Sequence, residues 1–171
     1  FYTILFSCIV VITSYANNTG TNHNDNSKRP NSKDVNQTTY NYKTYCNDRF
    51  GFCIEYPSKL YPQGESGSGD GQKFISKDSQ TILMAYRDFR IYDRDELQES
   101  YYEDLKAANT VITYKKLGNN YYVISGYKNN KIFYQKSIIR GQGLCTAIIE
   151  YPESEKNYYN KVCENIFRTF K

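Results

Sequence analysis

The sequence offers few residues able to move a proton or hold a metal. His23 is its only histidine, and it stands among Asn, Thr and Asp with no apolar neighbours to build a pocket around it. General acid–base and nucleophilic catalysis need a base held beside its partner, so any such chemistry falls to carboxylates. Close acidic pairs occur at Asp93 with Asp95 and at Glu153 with Glu155. Both sit where helices are expected to start, and negative charge there is favoured by the helix dipole. Glu65 and Asp70 flank a Gly-rich run and supply two of the oxygen ligands of a Ca²⁺ loop, fewer than the alternating set such loops use. No catalytic residue, metal ligand set or cofactor is assigned on this basis.

The cysteines carry more. Cys46, Cys53, Cys145 and Cys163 form an even set once Cys8 is set aside, and an even set fits disulfides in an oxidising compartment. Local geometry favours Cys46 with Cys53 across a hairpin turning through 48–51, which leaves Cys145 on a strand for Cys163 on the last helix. The spacings are not those of a zinc knuckle.

Export is also read from the first residues. The chain starts at Phe1, and an apolar run ends at Ser14, Tyr15, Ala16, the small-any-small pattern of a signal-peptidase site. Residues 1–16 are therefore read as a truncated signal peptide, with lipid attachment at Cys8 as the lesser alternative. Residues 17–41 are read as an Asn/Ser/Thr-rich disordered linker, because they carry too little apolar surface to offset chain entropy. Residues 42–171 are the expected folded domain. The expected location is periplasmic or extracellular, with no transmembrane segment in the mature chain.

The elements that position these residues follow from hydrophobic period. Alternation predicts strands over 42–46, 52–56, 73–76 and 81–86, with a mobile or sharply turned Gly-rich loop over 61–71. Asp93 stands three residues before Glu96 in a capping-box arrangement, and Leu97, Tyr101, Leu105 and Ala108 recur at helical spacing. Four strands then follow as an antiparallel meander over 111–117, 121–127, 131–139 and 144–151, separated by Gly and Asn turns. Pro152 is expected at the first position of a final helix whose stripe is Tyr159, Val162, Cys163, Ile166 and Phe170. The fold class is α+β.

Charge is nearly balanced, with 22 basic and 18 acidic residues and a net charge of +4. This excludes the strongly basic composition of a dedicated nucleic-acid binder. The distribution is uneven, however. From Leu105 to Ile149 there is no acidic residue, while Lys128, Lys131, Lys136 and Arg140 recur there beside Tyr121, Tyr127 and Tyr134. These seven are expected to gather at one end or edge of the sheet as a positive, aromatic surface for an anionic partner.

The order Tyr56-Pro57, Gly69-Asp70-Gly71, Phe74 with Lys77-Asp78, Tyr122-Val123-Ile124-Ser125-Gly126, Ile132-Phe133-Tyr134-Gln135-Lys136, Tyr151-Pro152 and a closing Ile166 to Phe170 resembles uncharacterised exported bacterial proteins. Those are similar in fold to PsbP, the extrinsic protein of photosystem II, and to a Ran-binding nuclear import factor. The resemblance implies an antiparallel sheet with helices on both faces, a PsbP-like α/β/α sandwich, and a non-enzymatic adaptor or assembly role. The expected function is thus a monomeric, non-catalytic exported binding module for an unknown protein or anionic envelope component. A carboxylate-dependent hydrolase or stress-related enzyme, and a weak nucleic-acid or anionic-glycan binder, are the alternatives.

Overall fold

The computed structural model describes residues 39–90 and 93–170; the signal reading, residues 17–38 of the linker reading, Cys8 and His23 lie outside the described residues. The last linker residues, 39–41, are described, and Tyr40 stacks on Tyr158 with ring centres 5.2 Å apart. In chain order the elements are β1 (Tyr42–Asn47), β2 (Phe52–Pro57), β3 (Leu60–Glu65), β4 (Gly71–Ser76), β5 (Ile82–Arg87), α1 (Arg94–Asp104), β6 (Thr110–Leu117), β7 (Tyr121–Lys128), β8 (Lys131–Arg140), β9 (Gly143–Pro152) and α2 (Lys156–Thr169). Strands β1 and β2 form a separate antiparallel ribbon, and the other seven form one antiparallel sheet in the order β3-β4-β5-β9-β8-β7-β6.

The meander has the expected strands and turns. Asn129 and Asn130 both take positive φ, at 48° and 63°, which the tight β7–β8 hairpin demands and which Asn tolerates better than most residues. Beyond the meander, β9 pairs with β5, so the last strand stitches the earlier hairpins to the later four strands. This makes β9 central, and eight of its ten residues are buried.

Neighbouring residues of the sheet feed two separate cores. Ala85, Ala147, Ile149 and Tyr151 pack with Tyr159, Val162, Ile166 and Phe170 of α2, and the same cluster holds Phe52, Ile54 and Tyr56 of β2. Tyr122, Ile124, Phe133 and Ile148 pack instead with Leu97 and Tyr101 of α1. The alternation of Ile148 and Ile149 is the period of two that a strand imposes.

Helix α1 starts as the sequence implies. The Asp93 side chain accepts from the Asp95 and Glu96 amides, at 2.7 and 3.2 Å, and the Glu96 carboxylate accepts from the Asp93 amide at 3.1 Å. It ends one turn sooner than its apolar spacing suggests, so Ala108 falls outside it. Two further boundaries differ. The expected loop over 61–71 is in large part strand β3, an edge strand where Pro62 is tolerated and where Gly64, at φ 87°, stands within a register irregularity. Pro152 closes β9, and a 3-10 turn at Glu153–Glu155 intervenes before α2.

Cys46 and Cys53 are register partners and form a disulfide, with Cα atoms 4.1 Å apart. The expected Cys145–Cys163 bridge is corrected: both are buried free thiols. Cys145 lies near the start of β9, whereas Cys163 lies beside the hydroxyl of Tyr151, six residues further along that strand. Six residues of strand span roughly 20 Å, and a disulfide needs Cα atoms within roughly 7 Å. Alkylation of the native protein followed by peptide mass spectrometry should therefore give one Cys46–Cys53 cross-link, with Cys145 and Cys163 modified only after unfolding; a Cys145–Cys163 peptide would refute this arrangement. Ile166→Ala, which removes three methyl or methylene groups from the α2 core, should lower the free energy of urea unfolding by about 3 kcal/mol.

Candidate functional site

The four basic residues expected to form one patch do not. Lys128 and Lys131 stand opposite each other at the β7–β8 hairpin. Lys128 pairs with Glu150 at 3.2 Å, and Lys131 donates to the Gln80 carbonyl at 2.7 Å. Arg140 lies nine residues along β8 from Lys131, roughly 30 Å in an extended strand. Lys136, between them, donates to the carbonyls of Phe167 and Phe170 at 2.8 and 3.0 Å, where it neutralises the negative end of α2. The tyrosines also separate. Tyr127 donates to Glu153 at 3.4 Å, Tyr134 stacks on Tyr151 with ring centres 6.3 Å apart, and Tyr121 stands at the opposite end of β7 from Tyr127.

The structure does bring together a different subset. Register places Lys116, Val123, Lys136, Ala147 and Ala85 in one row across β6, β7, β8, β9 and β5. The next row on the same side is Tyr121, Ile138, Cys145 and Arg87. Helix α2 packs mainly on β2, β9 and β8. The uncovered corner is a groove of about 320 Å³ lined by Tyr114, Lys116, Tyr121, Lys136, Ile138 and Phe167. The Lys116 ammonium sits 5.9 Å from the centre of the Tyr121 ring, a cation–π arrangement. Among the described residues no carboxylate lines this groove. Of the residues expected as a binding surface, Tyr121 and Lys136 thus meet. Tyr114 and Phe167 were not anticipated, and β6 carries Tyr114 and Lys116 only because a register shift between Ile112 and Tyr114 resets its faces.

The opposite rows hold a polar cluster that the sequence reading did not single out. Tyr122, Ser137, Thr146 and Tyr86 are cross-strand neighbours of one another in β7, β8, β9 and β5. The Asp104 carboxylate, at the end of α1, accepts from the Tyr122 hydroxyl at 2.5 Å and from the Gln135 amide at 2.6 Å. Gln135 also donates to Ser137 at 3.2 Å, and the Ser137 and Thr146 hydroxyls share a hydrogen bond of 2.9 Å. A small cavity of about 120 Å³ opens beside them toward Asp88, Arg90 and Glu103. Burial raises the Tyr122 phenol above its ordinary range, and the Asp104 charge and hydrogen bond add to this. The available signal was Gln135, Ser137 and Thr146 recurring at alternate, inward positions of central strands.

The Gly-rich turn spends its acids locally. The Glu65 carboxylate accepts from the Tyr45 hydroxyl at 2.7 Å and from Asn47 at 3.3 Å, and Asp70 accepts from Ser66. Among the described residues no group of three or more His, Cys, Asp or Glu side chains converges as a metal site.

No family model matches the chain, and no curated protein matches it. A solved structure does: the solution structure of cyanobacterial PsbP from Synechocystis sp. PCC 6803, with a TM-score of 0.58 at 12% identity, covering 84% of this chain and 99% of that one. The fold is PsbP-like: antiparallel sheets with two helices.

Alkaline pH tests the buried hydroxyl and thiol groups. Burial pushes Tyr45 and Tyr158 up to about 12 from 10.0, and Cys163 up to about 12 from 9.0. Such groups stay protonated in the fold while they ionise in the unfolded chain, so the stability they contribute is complete below the unfolded values and is lost as pH rises through the folded ones. The urea midpoint should fall between about pH 9 and about pH 12, and a flat profile there would refute their burial. Tyr122→Phe should cost about 1 to 3 kcal/mol at neutral pH, because it leaves Asp104 short of a donor.

Proposed function

We propose that this PsbP-like chain is an exported, non-catalytic binding and assembly module, that residues 42–171 are its working domain, and that its partner is anionic. The single observation behind the binding reading is the groove at the β6–β7 corner, where Lys116 and Lys136 meet Tyr114, Tyr121 and Phe167 with no carboxylate among the described lining residues. Aromatic walls supply contact area and the Lys116 ammonium supplies sign selectivity. The Cys46–Cys53 disulfide supports an oxidising, exported location. The separate α1 and α2 clusters support helices on opposite faces of the sheet, in the manner of an α/β/α sandwich.

One observation favours the rival reading of a carboxylate-dependent hydrolase: Asp88, Glu103 and Asp104 all border the cavity beside Tyr122. At about 120 Å³ that cavity is well below the roughly 300 Å³ at which small-molecule sites begin. Asp104 is held by two donors, and Asp88 pairs with Arg90 at 3.0 Å. These acids serve the α1 interface more directly than they serve a substrate.

The test is capture of a polyglutamate peptide at low and moderate salt. Lys116→Glu with Tyr121→Ala, which spares Lys136 and its contacts with α2, should weaken capture at least about fivefold without changing Tm. Undiminished capture by this variant would remove the groove from the argument, and equal binding of a polylysine peptide would remove the anionic partner.

A further inference from the structure

The end of the sheet beyond the groove holds three guanidinium groups that form no ion pair among the described residues. Arg87 closes β5, and its guanidinium lies 4.6 Å from the centre of the Phe50 ring. Arg49 approaches the same ring at 5.0 Å and the Phe89 ring at 5.3 Å, and it donates to the Ser68 carbonyl. Phe50 and Phe89 meet edge to face, with centres 5.5 Å apart. The third arginine is Arg140, whose cross-strand partner is Gly143. Gly143 has no side chain for a definite reason: a Cβ there would collide with the Arg87 guanidinium. The bare backbone of Gly143 therefore lets Arg87 lie across β9 toward Arg140, and both charges reach the Cys145 thiol beneath them.

Like charges gathered this way repel, so their placement calls for a compensating group. Inside the chain that compensation is partial. The ring of Phe50 offers its negative face to two of the cations. Among the described residues the ion pairs are Arg90 with Asp88 and Lys128 with Glu150, and neither involves these three arginines. Arg49 is exposed, and Arg87 and Arg140 are half-buried, so all three remain open to solvent. Guanidinium forks match tetrahedral oxyanions in geometry and charge, and they bind them in bidentate fashion.

The geometry points to Arg49, Arg87 and Arg140 as a binding site for a phosphate group, carried either by a soluble phosphate ester or by a lipid headgroup. The inference rests on the binding reading above and gives it an anchor: the groove corner supplies aromatic contact, and the arginine end fixes the anion. Tyr121, Cys145 and Arg87 share one cross-strand row, so the two regions are contiguous on the same side of the sheet.

Pyrophosphate is the probe, titrated while the arginine Nε–Hε resonances are followed by NMR. Saturable shifts of the Arg87 and Arg140 signals are expected, with binding weakened at least about tenfold in Arg140→Gln, a variant that leaves the Arg87–Phe50 contact in place. Arg49→Gln serves as the second variant and should weaken binding in the same direction. Vesicles of phosphatidylglycerol form the other arm. Vesicle binding displaced by pyrophosphate assigns the headgroup, and pyrophosphate binding without vesicle binding assigns the soluble ester. Absence of saturable binding in both arms, or unchanged affinity in both variants, overturns the site. The Lys116→Glu, Tyr121→Ala variant separates the two ideas. Retained pyrophosphate binding there supports the arginine site, whereas polyglutamate capture that survives in Arg140→Gln while pyrophosphate fails to bind wild type overturns the arginine site and leaves the groove standing.

Discussion

The structure depends on one helix whose apolar stripe shares a single core with two sheets that do not pair with each other. Helix α2 presents Tyr159, Val162, Cys163 and Ile166 on one stripe, with Phe170 as its C-cap, and all five are buried. That stripe packs with β2 of the two-stranded ribbon and with the central strand β9 in one cluster. Full burial of a large apolar side chain contributes about 1.5 to 3 kcal/mol, so five of them amount to roughly 10 kcal/mol, the same order as the net stability of a whole domain. A two-stranded ribbon is marginal in water by itself. The ribbon therefore persists through Phe52, Ile54 and Tyr56 in the α2 cluster, through the Asn165 to Glu55 hydrogen bond of 2.8 Å, and through the Cys46–Cys53 bridge.

Much of this was legible in the chain, for reasons that differ by element. The α2 stripe was readable because a 3.6-residue period survives any tertiary context. The meander was readable because Asn129-Asn130 and Gly141 take the turn conformations that few other residues accept. The short recurrence of Ile54-Glu55-Tyr56-Pro57 as Ile149-Glu150-Tyr151-Pro152 also has a physical content. Its Ile and Tyr positions are buried in the core they share with α2, and each Pro ends a strand.

What the sequence concealed was non-local. Strand β3 was hidden because Pro62 and Gly64 break a ladder, yet an edge strand needs only one paired side. The expected second disulfide failed because it was reasoned from which elements the cysteines occupy. The deciding quantity was the position along β9, and that is set by where α2 docks. The basic surface failed as a group for a similar cause. Lys128 and Lys131 sit at one end of β8 and Arg140 at the other, and a run without acids says nothing of which end a residue reaches.

Cross-strand register is what converts such a run into a surface. On one side of the sheet the rows read Lys116, Val123, Lys136, Ala147, Ala85 and then Tyr121, Ile138, Cys145, Arg87; on the other they read Tyr122, Ser137, Thr146, Tyr86. The second set is closed on itself, with Asp104 accepting from Tyr122 and Gln135 and Ser137 bonded to Thr146. A satisfied buried network rigidifies a sheet and leaves few polar groups to offer a partner. The first set is different, because it borders the groove beside Phe167 and because Arg49 and Arg87, two of the three arginines at its far end, have aromatic neighbours. The same strands thus separate two tasks by parity: the rows with Tyr122 use polar groups to fix the sheet, and the rows with Lys116 leave cations at the surface. Lys136 joins the two roles on that side, since its ammonium neutralises the last carbonyls of α2 while its stem lines the groove. An anion arriving at that corner would meet the terminus of the most deeply packed helix in the structure, which is a rigid place from which to bind.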